Sequence, residues 1–280
     1  MTNVNQYGWK ALVGSAVGYA MDGFDLLILG FMLSAISADL NLTPAQSGSL
    51  VTWTLIGAVV GGIVFGALSD RYGRVRVLTW TIVLFAVFTG LCAIAQGYWD
   101  LLIYRTIAGI GLGGEFGIGM ALAIEAWPAK HRAKAASYVA LGWQVGVLAA
   151  ALLTPVLLPH IGWRGMFVVG IFPAFVAWYL RTRLHEPEIF SRKQTAFFTQ
   201  KTSKLESFKL LVKDKATTKV SLGVVVLTSV QNFGYYGIMI WMPNFLSKQL
   251  GFSLTKSGLW TAVTVCGMMA GIWIFGRLAD

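Results

Sequence analysis

The sequence predicts an all-α protein that crosses a membrane several times. Three observations carry this. Of 280 residues, 56% are hydrophobic and 12% charged, against roughly 25% charged in soluble domains. The mean hydropathy is +0.67, too apolar to cover a particle facing water. The apolar residues also lie in unbroken blocks of about 20, enough for a helix to cross a bilayer. Barrel strands would alternate over about 10 residues. Helices are the remaining structure that satisfies its own backbone in lipid.

Eight spans follow in order, at residues 11–34, 46–67, 77–96, 101–126, 135–158, 165–180, 220–246 and 257–276. The first carries Asp22 and Asp25 and lacks a basic leader followed by a small-residue cleavage site, so it reads as an uncleaved span. Connections are short except for 181–219, a polar, basic stretch. The chain therefore divides into a six-helix bundle (1–180), a central cytoplasmic loop (181–219) and two further helices (220–280). With the N-terminus inside, 18 of the 22 Lys and Arg residues fall on the inner side, as the positive-inside rule requires. That distribution accounts for the formal charge of +10 and argues against a nucleic-acid partner; the loop is free to touch anionic headgroups. Cys92 and Cys266 both lie in apolar blocks and read as buried small hydrophobes.

The chain repeats itself. At an offset of 210 residues, Ser47-Gly48 meets Ser257-Gly258, Thr54 meets Thr264, Gly57 meets Gly267 and Gly61 meets Gly271. Phe65-Gly66 meets Phe275-Gly276, and Leu68 and Asp70 meet Leu278 and Asp280. A parallel repeat of a six-helix unit is a known transporter plan. Two full repeats would need roughly 420 residues, so the sequence is expected to be a C-terminally truncated version of that plan.

The loop after the second span reads Gly66-Ala67-Leu68-Ser69-Asp70-Arg71-Tyr72-Gly73-Arg74-Val75-Arg76. It resembles the signature loop of the major facilitator superfamily. The resemblance implies a conformational latch between two six-helix halves, drawn from Gly66, Asp70, Arg71, Gly73 and Arg74. Gly66 and Gly73 are expected to permit a tight turn and close helix approach. Glu125, near the inner end of the fourth span, is expected to pair with Arg71 or Arg74.

Asp22-Gly23-Phe24-Asp25 resembles the Asp-Gly-aromatic-Asp signature of the metabolite:proton symporters, especially their aromatic-acid and sialic-acid transporters. Gly113-Gly114-Glu115-Phe116-Gly117 and Ile124-Glu125-Ala126-Trp127-Pro128 look like the fourth helix of the sialic-acid branch. His185-Glu186-Pro187-Glu188 is similar to an element that follows the sixth helix in many members. The fifth span has Gly142 and Gly146 followed by Val147, where drug:proton antiporters carry a proline, which lowers that reading.

An ionisable side chain inside a span costs several kcal/mol and is a functional candidate by default. This chain has Asp22, Asp25, Arg105, Glu115 and Glu125. At ~1.5 Å per residue, Asp25 and Arg105 reach similar depths in the outer half of a ~30 Å core. Asp22, one turn from Asp25, shares its side of the helix. Asp22, Asp25 and Glu115 are therefore candidate proton carriers, and Arg105 a candidate anchor for a substrate carboxylate. Trp53, Phe116, Trp143, Tyr235, Tyr236 and Trp241 are candidate cavity aromatics. Tyr235 and Tyr236 are favoured because Gln231 and Asn232 break the apolar run beside them, and all four are candidate substrate contacts.

The expectation is a proton-coupled importer of an organic acid anion (sialic acid, an aromatic acid or a small carboxylate) in the bacterial inner membrane. It would be monomeric when full length, and the truncated chain inactive by itself. A sugar or drug carrier of the same superfamily, or a non-transporting membrane sensor, are the alternatives. No nucleophile elbow, nucleotide loop or metal-ligand cluster points to an enzyme, a cofactor or a metal.

Overall fold

Long apolar blocks fold as helices because only backbone bonds made within the segment can replace those lost to water. The computed structural model describes residues 6–182 and 212–278. It contains α1 (Gln6–Asp39), α2 (Pro44–Tyr72), α3 (Arg74–Cys92), α4 (Tyr98–Glu125), a short turn at Ala129–His131, α7 (Lys215–Leu250) and α8 (Leu254–Leu278). The run Arg132–Thr182 is broken at Gly162, whose φ of 65° and ψ of 177° are not helical. It therefore provides two helices, α5 (132–161) and α6 (163–182). The break reverses the chain. Arg164 returns to Asp39 and to the Ala95 carbonyl, and Ile171 further along faces Gly90 of α3. Among the described residues there is no strand.

All eight expected spans are present. The first and seventh are longer than read, with α7 starting at Lys215 rather than 220. Most of the expected central loop, including His185–Glu188, lies outside the described residues, as does Asp280.

The start of α2 is fixed by a reciprocal cap. The Gln46 N–H donates to Thr43 Oγ1 at 3.2 Å, and the Thr43 N–H donates to Gln46 Oε1 at 2.9 Å. Pro44 follows, where a missing N–H costs nothing. Replacing Thr43 with alanine is expected to cost about 1 kcal/mol of stability. It should raise hydrogen exchange in the first turn of α2 alone. The helix ends at Gly73, whose φ of 109° is a conformation that L residues rarely adopt.

Small residues set the helix pairs. Lipid supplies little drive for helix association, so close backbone contact matters. Gly57 and Gly61 of α2 lie against Thr106 and Ile110 of α4, and Gly109 and Gly113 of α4 lie against Thr54 and Ala58 of α2. The two helices interlock through four glycines. Gly142 and Gly146 of α5 lie in the same way on Ala16 and Ala20 of α1. Gly66, expected at a close approach, lies inside α2 with open space around it, so the turn rests on Gly73 alone.

The repeat is visible in space. Gly30 of α1 meets the Ile240 carbonyl of α7, and Ser34 Oγ donates to Asn244 Oδ1 at 3.1 Å. Each pair is separated by 210 residues, so α1 and α7 cross where repeat-equivalent positions touch. Gly258 and Gly276 of α8 approach Ala151 and Ser137 of α5. Gly267 and Gly271, the equivalents of Gly57 and Gly61, meet nothing among the described residues.

The outward faces are apolar, as lipid requires. Val59, Ile63, Val220, Leu227 and Phe233 are all exposed. Cys92 is buried as expected, but Cys266 is exposed; it lies on the outer face of α8, where a small hydrophobe is equally at home in lipid.

Candidate functional site

Arg105 of α4 and Asp25 of α1 form a two-pronged pair in the interior. Arg105 Nη1 donates to Asp25 Oδ1 at 3.0 Å, and Nη2 lies 2.7 Å from Oδ2. Both side chains have zero exposure. The guanidinium carbon sits 5.7 Å from the centre of the Phe167 ring in α6. Such a pair gains little net stability, because desolvation offsets the attraction, but removing one partner is costly. The depth estimate from sequence brought these two residues together correctly.

Arg105, the candidate carboxylate anchor, is paired with Asp25 and does not join Tyr235 and Tyr236. Its fork is engaged by Asp25 and sealed by packing, on the α3–α6 side of the bundle. The aromatic residues gather elsewhere. Tyr19 of α1 lies 4.7 Å from Phe116 and 4.9 Å from Trp143, centre to centre. Trp143 of α5 lies 6.4 and 6.2 Å from Tyr235 and Tyr236 of α7, which are 5.4 Å apart. Phe116 is eleven residues beyond Arg105, or ~16 Å further along α4. Trp143 Nε1 donates to Tyr235 Oη at 2.6 Å, joining the first repeat to the second. Asp22, also fully buried, lies one turn from Tyr19 and next to Gly23, which packs on the Trp143 carbonyl.

Gln144, the next residue of α5, is 6% exposed. Its Nε2 lies 3.8 Å from the Met268 sulfur of α8, its side chain also bonds the Tyr235 hydroxyl, and its Oε1 has no hydrogen-bond partner among the described residues. Sequence reasoning missed Tyr19 and Gln144, since neither interrupts an apolar run as an ionised group does.

Gln231 and Asn232 do not join the cluster. Both are exposed, and Asn232 Nδ2 donates to the Thr228 carbonyl at 2.9 Å within its own helix. An amide satisfied by the preceding turn needs no cavity. Trp53 and Trp241 are likewise on the surface, Trp241 leaning on Gly48. Glu115 is buried between α4 and α3, where Thr81 Oγ1 donates to its Oε2 at 3.3 Å; it does not face the aromatic group.

At the other end of the bundle, Arg74 ties three elements. It lies 3.0 Å from Asp70 and 3.4 Å from Glu125, and its Nη1 donates to Ser69 Oγ at 3.0 Å. Of the two expected partners for Glu125, Arg74 makes the contact. Arg71 instead lies over the Tyr72 ring at 5.3 Å.

Apolar helices enclosing an ion pair, with an aromatic cluster where two repeats meet, define a multi-span membrane carrier. The chain belongs to the major facilitator superfamily, whose model matches residues 15–280, a family of transporters rather than enzymes. It is 88% identical to a candidate metabolite transport protein of Haemophilus influenzae, over all of this chain and 70% of that protein. It is 31% identical to a cis,cis-muconate transport protein of Acinetobacter baylyi, again over the whole chain and 68% of the relative. The crystal structure of a D-xylose–proton symporter is similar in fold, with a TM-score of 0.72 and 22% identity over 95% of this chain and 67% of that one.

Proposed function

We propose that this protein is the larger part of a proton-coupled importer of an organic acid anion, held in the bacterial inner membrane with its N-terminus in the cytoplasm. Residues 1–180 would form the first bundle and 220–280 the start of the second, joined by 181–219; the full-length carrier would act as a monomer. The observation that carries the reading is a buried carboxylate, Asp22, one turn along α1 from Tyr19 of the aromatic cluster between the repeats. An ionised Asp22 repels an anion in that cluster by a few kcal/mol at an effective dielectric of about 20. A protonated Asp22 does not. Proton and anion therefore load together, and the loaded site carries less buried charge when the halves move.

Of the three candidate proton carriers, the geometry favours Asp22. Asp25 is held by Arg105 and Glu115 lies behind Thr81. The Asp25–Arg105 pair fixes how α1 sits on α4 and thereby aims Asp22. Gly73, Asp70, Arg74 and Glu125 form the latch at the cytoplasmic end, with Arg74 as its centre. The name of the Acinetobacter relative, a muconate transporter, supports an acid as cargo.

The test is uptake of labelled benzoate, nicotinate, cis,cis-muconate and sialic acid by this chain joined to the remaining helices of the Haemophilus relative. Accumulation of at least one acid, abolished by a proton uncoupler, is expected. Accumulation that survives the uncoupler, or of none of the acids, would reject the reading.

A further inference from the structure

Resting on that proposed reading, we infer that Gln144 is a specificity-determining residue: its Oε1 accepts a hydrogen bond from an O–H or N–H group of the cargo, so the carrier prefers an acid bearing such a donor to the same acid without one. Gln144 is 6% exposed, and its Oε1 has no hydrogen-bond partner among the described residues. The rest of the amide is held in place. Its Nε2 lies 3.8 Å from the Met268 sulfur of α8, and the side chain bonds the Tyr235 hydroxyl of α7. The amide thus belongs to the first repeat but sits among side chains of the second, beside the rings of Trp143, Tyr235 and Tyr236. Cargo sites of carriers built from repeats lie at this kind of junction.

Buried polar atoms are ordinarily paired, and α5 itself cannot pair this one. Ser15, Thr89, Thr154 and Ser257 also carry buried oxygens without a partner among the described residues, but a hydroxyl can turn its proton onto the carbonyl of the preceding turn. An amide oxygen only accepts, and the N–H groups of a helix interior are already spent on its own carbonyls. The neighbouring indole N–H of Trp143 is engaged by Tyr235 Oη at 2.6 Å. The atom that lacks a partner is therefore an acceptor, and an ionised carboxylate has no proton to give it. The acid end of the cargo lies elsewhere in the site, and Gln144 reads the remainder of the molecule. A plain apolar wall would suit an unsubstituted ring; burying an amide there costs free energy that a donor-bearing cargo offsets.

The test is equilibrium binding by the purified chain in lipid nanodiscs. The probes are meta- and para-hydroxybenzoate, para-aminobenzoate and the matching fluorobenzoates, which keep the shape but cannot donate. The wild type should bind at least one donor-bearing acid about ten-fold more tightly than its fluoro counterpart, the worth of a hydrogen bond made in a buried site. Gln144→Leu and Gln144→Met should each bring that ratio to within about two-fold and leave the fluorobenzoates near their wild-type affinity. A residue that only packs the helices would weaken all the acids alike. Equal wild-type affinity for donor and fluoro acids, binding of none of them, or an undiminished ratio in a folded variant overturns the assignment. So does a failure of both variants to fold, read from their unfolding midpoints, which would make Gln144 a packing residue. None of these outcomes bears on whether uptake needs a proton, which the uncoupler experiment decides separately.

Discussion

Replacing Asp25 with asparagine is expected to destabilise the bundle by roughly 3–5 kcal/mol, because it strands the Arg105 guanidinium in a site with no exposure. Arginine cannot shed its charge within the working pH range. Arg105→Met leaves a buried carboxylate without its partner and should cost a similar amount. The double variant removes both charges and should recover most of the loss. Reversible unfolding in mixed micelles measures all three. Single-variant losses that simply add in the double variant would contradict a dry pair.

The second large effect concerns the glycines between α2 and α4. A valine at Gly113 would collide with the Ala58 backbone, and one at Gly61 with Ile110. Backbone cannot yield as a flexible side chain does, so the helices must part. Overpacking typically costs 1–3 kcal/mol, and here lost van der Waals contact along the pair adds to it. Either variant is expected to lose folded protein at moderate temperature. Gly66→Val is the comparison, since nothing lies within 4 Å of a side chain there. It should remain within about 0.5 kcal/mol of the parent. Thermal inactivation in detergent, followed by size-exclusion chromatography, separates the two outcomes.

Depth was legible in the sequence and rotation was not. A fixed rise per residue gives the level of any side chain in a span, which is why Asp25 and Arg105 could be matched from eighty residues apart. The Arg74–Glu125 contact was legible for the same reason, both residues lying at one end of their helices. Direction around the helix needs a polar face, and these helices are apolar on all sides. Arg105 was thus placed at the right level, while the Phe167 ring beside it was not foreseen. Gln231 and Asn232 misled because an interruption of an apolar run looks the same whether the amide lines a cavity or bonds its own preceding turn. Gly162 was hidden by its small size; its role is a conformation, φ of 65°, which composition does not record. The repeat was fully legible, and it appears in space as the Gly30–Ile240 and Ser34–Asn244 contacts.

The central claim is that the anion travels with a proton bound at Asp22. A pH electrode in a lightly buffered suspension of de-energised vesicles, carrying the chain completed with the relative's helices, tests it most directly. Adding the transported acid as its anion should make the medium more alkaline as protons enter with it. Asp22→Asn should take up the anion without that alkaline shift. An absent shift in the parent, or an undiminished one in Asp22→Asn, would contradict the account.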